Sequence, residues 1–337
     1  MHLSHRPIFI VSAPRSGSTL LRLILDAHPI IAVPSPTWLY DMVYPFLYSY
    51  GDLTIDENYK ALAEDIIESP LIKNWKIELS VEQIIDASRQ RTFAGLYEAL
   101  HRIYADIHAK NRWGEKSPRD SYWIDEIRHD FSEAQFIHIV RDGRDMAIDI
   151  ATSSAMVPSN PFSGAHIWLD YNRAILHSAS SLNEKTYYRI RYEALCADPE
   201  NELKKLCGYL CEDFDPRMLA HYETQSAKTW CSLPNHQKAG CPITTEYCGM
   251  YLKRLRPNDR AFLNHVIHEM LTEFGYPVED SPRAISRRLA WQLLECDTIT
   301  APRVIPYRQW HEKRRKERKE KGVWQDEDRD SFLRSME

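Results

Sequence analysis

The chain has 337 residues, with a hydrophobic share of 43%, a charged share of 27% and a formal net charge of −5. These values are ordinary for a globular protein in water, and a chain of this length has room for one large domain or two smaller ones. No apolar run approaches the roughly 18 residues that span a bilayer. The N-terminal residues lead straight into an apolar strand, so no cleavable signal peptide is expected and we predict a cytoplasmic protein.

Charge and cysteine content narrow the range of partners. Residues 308–321 contain eight Lys or Arg and three Glu, a local charge of +5 that leaves −10 on the remainder. Because the net negative charge of the remainder repels polyanions, we expect no nucleic acid partner. The basic run itself is typical of a solvated helix or tail. The seven scattered cysteines contain no Cys-x-x-Cys pair, which argues against a disulfide framework or a structural zinc site.

The first informative element is an apolar strand that ends in a small polar loop. Residues 8–11 precede the sequence Pro14-Arg15-Ser16-Gly17-Ser18-Thr19, and an apolar helix is predicted from Thr19 to about Ala27. Small residues let backbone N–H groups approach an anion, and the helix N-terminus adds a positive end. Arg15 adds a guanidinium that fits phosphate or sulfate oxygens. The alternative is an ordinary turn between a strand and a helix.

Further elements follow in the order of an α/β fold. Residues 38–90 are rich in Trp and Tyr and are predicted to be helical and loop-like, whereas residues 93–107 show the spacing of an amphipathic helix. Strands are predicted over residues 135–140 and 187–192, each followed by a helix. This order predicts a parallel sheet with helices on both faces. A last helix begins at Pro257 and ends before Gly275.

Two smaller expectations concern side chains on these elements. Arg22 and Asp26 are four residues apart in the first helix and can pair on its polar stripe. Arg15 and Arg141 both follow the carboxyl end of a predicted strand. Ligands of open parallel sheets lie at those ends, so we expect the two arginines to share one site.

Several motifs together resemble the sulfotransferases that use 3′-phosphoadenosine 5′-phosphosulfate (PAPS), of the bacterial and tyrosylprotein types. The matching segments are Pro14 to Thr19, similar to the 5′-phosphosulfate loop; Trp113-Gly114-Glu115-Lys116-Ser117-Pro118, similar to a segment whose Lys approaches the transferring group; Arg141-Asp142-Gly143-Arg144, similar to a 3′-phosphate motif; Trp168 to Ala174, similar to a packing helix; Arg191-Tyr192-Glu193-Ala194-Leu195; and Gly249-Met250-Tyr251-Leu252-Lys253. The resemblance spans roughly residues 7–280. Residues 281–337, charged and interrupted by proline, are predicted to form an appendage to a domain of residues 1–280.

The resemblance implies a single P-loop-like domain that transfers a sulfuryl group from PAPS to a hydroxyl group and requires no metal. It implies catalytic roles for Arg15 and Lys116. The residues that it implies for nucleotide binding are Arg15, Ser16, Gly17, Ser18, Thr19, Arg141, Asp149, Ser153, Tyr192 and Lys253. The acceptor would be a small molecule, a carbohydrate or a peptide.

Departures from the family pattern leave alternatives open. Asp149 stands eight residues after Arg141, where the family has Ser, and a carboxylate beside a phosphate is repulsive. Either a hydroxyl of residues 152–154 (Thr-Ser-Ser) replaces the Ser, or Asp149 turns to pair with a nearby cation, or binding of the 3′-phosphate is weakened. Met250 replaces a second expected arginine.

The general base is the other open question. The Glu that follows the first helix in the tyrosylprotein type is absent, so Asp41, Glu115 and His28 are the candidates. Two rival functions remain at this point: a non-catalytic nucleotide-binding or partner-binding protein of the same fold, and a small-molecule kinase. The absence of a Gly-Lys-Ser/Thr ending from the first loop argues against the kinase.

Overall fold

The computed structural model describes residues 6–153, 160–232 and 236–278, together with Ser286, Lys313, Lys316, Glu317 and Glu320. Ser154 lies outside the described residues, as do the remainder of the predicted appendage and of its basic run. Among the described helices, none combines the length and apolar character that a bilayer span requires.

Within the described residues, five parallel strands form one sheet in the order β2-β3-β1-β4-β5. The strands are β1 Ile8–Val11, β2 Ile31–Ala32, β3 Arg112–Glu115, β4 Gln135–Val140 and β5 Tyr187–Arg191. The two apolar strands β1 and β4 are central neighbours, as their continuous hydrophobic runs predict. The predicted α/β class is confirmed, and the sheet contains two strands, β2 and β3, that the sequence did not reveal.

Helices make up most of the remaining described chain. The α-helices there are α1 Ser18–Asp26, α2 Leu39–Met42, α3 Asp56–Glu68, α4 Pro70–Lys73, α5 Val81–Ala87, α6 Phe93–Ile107, α7 Ile124–Asp130, α8 Gly143–Ala151, α9 Pro161–Ala179, α10 Tyr192–Ala197, α11 Pro199–Leu210, α12 Gln225–Trp230, α13 Tyr251–Arg254 and α14 Pro257–Glu273. Short 3₁₀ helices cover Tyr44–Tyr50, Pro118–Tyr122, Pro216–Glu223 and Gln237–Gly240. The helices predicted over residues 93–107 and from Pro257 are confirmed.

Successive side chains of the central strands point to opposite faces of the sheet, and helices cover both faces. Phe9 and Phe136 join a buried cluster that includes Tyr97 of α6. Their neighbours Ile10 and Ile137 join a second cluster on the other face, with side chains of α1 and α11. The aromatic residues between 38 and 59 belong mainly to the first cluster, so their role there is packing.

The expected pair between Arg22 and Asp26 is wrong. Asp26 instead accepts a hydrogen bond from the backbone N–H of Val33 at 3.0 Å and lies 3.3 Å from Nζ of Lys110. Arg22 donates to the carbonyl oxygen of Val33 at 3.0 Å. Both residues are buried. Asp26 is engaged by the backbone of Val33 and by Lys110, whereas Nε and Nη2 of Arg22 have no hydrogen-bond partner among the described residues.

Helices α8 and α9 cross closely below the carboxyl end of β4. A Cβ on Gly164 of α9 would lie 2.7 Å from the carbonyl oxygen of Ala147 of α8, so only glycine permits this approach. Indole Nε1 of Trp168, also on α9, donates to the carbonyl oxygen of Arg141 at 3.0 Å. This crossing therefore supports the position of Arg141.

We expect Gly164→Ala to lower the free energy of unfolding by about 1–3 kcal/mol, because the added methyl group overpacks the crossing of the two helices. The matched control is Gly208→Ala on α11, where an added Cβ meets nothing within 4 Å. That change should raise the free energy of unfolding by up to about 1 kcal/mol through helix propensity. Urea denaturation measures both, and similar effects of the two changes would contradict the close crossing.

Candidate active site

The loop between β1 and α1 leads directly into the N-terminus of a helix. Gly17 caps α1 without a side chain, and no acidic residue stands in the first turn of the helix. The partial positive charge of the N-terminal N–H groups is therefore not offset by a local carboxylate. Ser16 Oγ is buried and finds no hydrogen-bond partner among the described residues. These groups suit an anionic ligand.

The backbone of this loop is held in an unusual shape by a tyrosine. Arg15 and Gly17 have φ angles of +66° and +92°. A Cβ on Gly17 would lie 2.4 Å from Cδ2 of Tyr192, so the ring of Tyr192 lies directly against the loop. Tyr192 begins α10, at the carboxyl end of β5. The structure thus brings the tyrosine of one predicted motif against the glycine of another.

Lys116 follows β3 and lies beside the same loop. Its side chain is buried, and Nζ lies 3.4 Å from Oγ1 of Thr19. Burial, reinforced by the positive charge of Arg22, lowers the pKa of Lys116 to about 7, although Glu115 and Asp120 oppose the shift. A lysine with this pKa is readily protonated when an anion arrives, because the anion favours the ammonium form.

The carboxylate next to Lys116 has a structural role. Oε2 of Glu115 lies 2.9 Å from Nε2 of His101, and Oε1 accepts hydrogen bonds from the backbone N–H of Thr37 and from the hydroxyl of Ser117. Glu115 is completely buried. These contacts fix the end of β3 against the segment before α2, and they leave Glu115 poorly placed to act as the base.

The other two sequence candidates for the base are also engaged elsewhere. Nε2 of His28 lies 2.9 Å from the carbonyl oxygen of Asp213, and its Nδ1 accepts from the backbone N–H of Ile30. Oδ2 of Asp41 lies 2.6 Å from Nε of Arg119 in an ion pair. Neither group is a free proton acceptor in this arrangement.

Arg141 joins the second predicted motif to the first. Its Nη1 donates to the carbonyl oxygen of Arg15 at 3.0 Å, and its Nη2 donates to the carbonyl oxygen of Tyr247 at 2.9 Å. The guanidinium also lies over the ring of Tyr192, with Cζ 5.1 Å from the ring centroid. The two arginine-bearing strand ends therefore meet at one edge of the sheet, as the strand order predicts.

Asp149 also contacts Arg141. Its Oδ2 accepts from Nη1 of Arg141 at 2.6 Å, so the carboxylate pairs with the arginine of the predicted phosphate motif itself. The hydroxyl of Thr152 donates to the carbonyl oxygen of Ile148, one turn back along α8. Ser153 is partly buried just after α8, and Lys253 on α13 is exposed.

Asp145 holds the segment that carries Tyr247 and Lys253. Its two carboxylate oxygens accept from the backbone N–H groups of Gly249 and Tyr251, at 2.7 and 2.6 Å. Burial raises the pKa of Asp145 to about 6, and the positive charge of Arg141 opposes this shift. Residues 247–251 are thereby fixed beside Arg141.

Sequence reasoning missed three residues in this region. His236 is half-buried, and its ring centroid lies 4.9 Å from that of Trp230 in a tilted arrangement. Burial and then the charges of Lys116, Arg15 and Arg22 lower the pKa of His236 to about 4. The Arg22 side chain is fully buried. Asp120 is buried without a hydrogen-bond partner for either carboxylate oxygen among the described residues, and burial raises its pKa. His236 follows no recognised motif, and a polar residue inside the apolar helix α1 was the only signal for Arg22.

Comparison with known proteins agrees with this arrangement. The model of the sulfotransferase family matches residues 7–216, which is more than half of the chain. The protein therefore belongs to the sulfotransferase family.

Individual relatives point in the same direction. The chain is 23% identical to the protein-tyrosine sulfotransferase of Drosophila melanogaster over 317 residues, which cover 88% of this chain and 57% of that protein. It is 24% identical to protein-tyrosine sulfotransferase 1 of Danio rerio over 283 residues, 82% of this chain and 73% of that protein. The chain thus spans little more than half of the Drosophila relative.

A solved structure supports the fold. The sulfotransferase domain from the olefin synthase of Synechococcus PCC 7002 superimposes with a TM-score of 0.59 at 25% identity, over 81% of this chain and 95% of that domain. The predicted family and P-loop-like sheet are both confirmed by these matches.

We expect Arg22→Met to raise the pKa of His236 above its value of about 4, because the substitution removes one of the cations that disfavour the imidazolium. Histidine NMR signals followed against pH measure this shift. Arg189→Met is the control, since Arg189 lies on edge strand β5 and is not among the charges that act on His236. A titration of His236 that Arg22→Met leaves unchanged would contradict the proximity of the two side chains.

Proposed function

We propose that this protein transfers a sulfuryl group from PAPS to a hydroxyl group of an acceptor. The observation that carries the proposal is the hydrogen bond from Arg141 to the carbonyl oxygen of Arg15. It joins two cationic strand ends, and a donor with a 5′-phosphosulfate and a separate 3′-phosphate needs two such ends. Membership of the sulfotransferase family supports the same reaction.

The donor side fits the residues of the first loop. The N-terminus of α1, which no side chain caps, provides N–H donors for phosphosulfate oxygens. O–H donors come from the hydroxyl groups of Ser16, Ser18 and Thr19. Arg15 and protonated Lys116 provide positive charge where the leaving phosphate gains negative charge. PAPS supplies the activated sulfuryl group, and these side chains bind and orient it.

His236 is our candidate for the base. Its low pKa keeps the imidazole neutral at pH 7, which a proton acceptor requires. A bound anionic donor would offset the charges of Lys116 and Arg15, and the pKa of His236 would then rise toward the range in which it takes a proton effectively. In the reaction, the acceptor oxygen forms a bond to sulfur, the bond from sulfur to the bridging oxygen breaks, and His236 takes the hydroxyl proton.

The acceptor class is narrowed only by the relatives. The Drosophila and Danio proteins are named protein-tyrosine sulfotransferases, so a tyrosine hydroxyl in a peptide is the first acceptor to test, beside carbohydrates and small alcohols. We do not favour the non-catalytic alternative, because the loop, Lys116 and Arg141 lie in one region. Membership of the sulfotransferase family sets the kinase aside.

The direct test supplies PAPS with a panel of tyrosine peptides, phenols, sugars and lipid alcohols, and measures release of adenosine 3′,5′-bisphosphate. We expect turnover with at least one acceptor, and we expect Arg15→Ala to reduce it by about 100-fold or more, since a cation at the transferring group is lost. His236→Ala should lower turnover while leaving the affinity for adenosine 3′,5′-bisphosphate within a few-fold.

The control for these variants is Asp106→Ser, an exposed change on α6, which should leave turnover unaltered. Turnover that survives Arg15→Ala would contradict the role given to that residue. The absence of acceptor-dependent release with the whole panel would count against the proposed function.

A pH-dependent prediction follows from Lys116. At pH 8 the lysine is mostly neutral, because this pH lies above its pKa of about 7, and the anionic nucleotide should raise that pKa. Binding of adenosine 3′,5′-bisphosphate at pH 8 should therefore take up about one proton. Calorimetry in buffers of different ionisation enthalpy measures this uptake, and Lys116→Met should abolish it. Equal uptake by the variant would assign the proton to another group.

A further inference from the structure

The arginine of the second motif already has an anionic partner. Asp149 accepts a hydrogen bond from Nη1 of Arg141 at 2.6 Å, and its other oxygen lies 3.9 Å from Nη1 of Arg254. The Asp149 and Arg141 side chains are only 13% and 6% exposed, so solvent and salt screen this contact little. A carboxylate of the protein itself therefore already neutralises the arginine that would otherwise pair with a nucleotide phosphate.

The remaining donors of Arg141 are few. A guanidinium has five N–H groups. Nη1 uses both of its N–H groups, on Arg15 and Asp149, and Nη2 uses one on Tyr247. Nε is buried and has no hydrogen-bond partner among the described residues. A phosphate that leaves Asp149 in place thus finds at most Nε and one N–H of Nη2.

Nearby charges do not compensate for this. Asp145 also acts electrostatically on Arg141, so two carboxylates face one buried guanidinium. Arg254 is 42% exposed, and exposed charges contribute weakly because water screens them. Arg144 is held by both oxygens of Asp142 at 2.9 and 2.7 Å. The charge of Arg141 is therefore partly offset by carboxylates before a nucleotide arrives, and Arg15 is a further cation that interacts with Asp149.

Dinucleotide-binding proteins distinguish ribose substituents by this chemistry. A carboxylate accepts a hydrogen bond from a ribose hydroxyl, whereas an arginine accommodates a ribose phosphate. Asp149 pairs with Arg141 and so presents a carboxylate beside the arginine that alone would favour the phosphate. The serine expected there from the family pattern would leave Arg141 available.

We infer that Asp149 makes the nucleotide site bind adenosine nucleotides with a free ribose 3′-hydroxyl about as well as 3′-phosphorylated ones. The carboxylate accepts a hydrogen bond from the 3′-hydroxyl, and its ion pair with Arg141 leaves that arginine fewer donors for a 3′-phosphate. The inference rests on the proposed function and widens its donor class to adenosine 5′-phosphosulfate. The transfer itself is unchanged: the bond from sulfur to the bridging oxygen breaks, the acceptor oxygen binds sulfur, His236 takes the hydroxyl proton, and adenosine 5′-phosphate leaves.

The test compares dissociation constants of adenosine 3′,5′-bisphosphate and adenosine 5′-phosphate by calorimetry. In the wild type the two constants should lie within about 10-fold of each other, because the phosphate gains little from an occupied arginine. In Asp149→Ser the bisphosphate should bind about 10- to 100-fold more tightly, and the 5′-phosphate should not gain. Asp149→Asn, which keeps the volume and removes the charge, should shift the ratio in the same direction.

Asp106→Ser removes an equal charge from an exposed site on α6 and should leave the ratio unchanged. Thermal unfolding of each variant confirms that it is folded at the temperature of the measurement. A wild-type preference of about 100-fold or more for the bisphosphate, or a ratio that neither Asp149 substitution alters, would overturn the inference and leave sulfuryl transfer standing. Failure of the wild type and both variants to bind either nucleotide would overturn the proposed function as well.

Discussion

The guanidinium of Arg141 is the physical centre on which the site depends. Arg141 is buried at the end of a central strand, and its backbone carbonyl oxygen accepts a hydrogen bond from the indole of Trp168 on α9. Its N–H groups reach the backbone of the first loop and of the segment at Tyr247. Burying a cation costs less free energy when most of its donors are hydrogen-bonded, so the bonds of Arg141 hold these elements in one arrangement.

The sequence predicted the large features of the fold well. Long apolar runs identified β1 and β4 as central strands, and helical spacing identified α6 and α14, because strong periodicity survives the details of packing. Motif order then predicted the family, which the family match confirms. The meeting of Arg15 with Arg141 followed from a general property of parallel sheets rather than from any local signal.

The features that the sequence did not reveal depend on tertiary contacts. Strand β3 begins with Arg112 and contains Gly114 and Glu115, which is not the apolar run of a central strand, and β2 has only two residues. Both pair because β1 and the buried contacts of Glu115 hold them in place. The charges of Lys116, Arg15 and Arg22 act on His236, which is distant from all three in the sequence, and no sequence spacing indicates such an interaction. The sequence left open whether Asp149 pairs with a nearby cation. It does, and the cation is Arg141 of the predicted phosphate motif, which no sequence signal identified.

The ring of Tyr192 against Gly17 has a thermodynamic consequence for the whole edge of the molecule. Tyr192 follows β5, which pairs only with β4 among the described strands, and a strand at such a margin opens locally at a lower free-energy cost than a central one. When β5 opens, the ring of Tyr192 no longer packs against Gly17, and the first loop loses the contact that supports its left-handed backbone. The order of the loop between β1 and α1 is thus coupled to the local stability of β5. A ligand bound by that loop should slow amide hydrogen exchange in β5, although β4 separates β5 from β1 in the sheet.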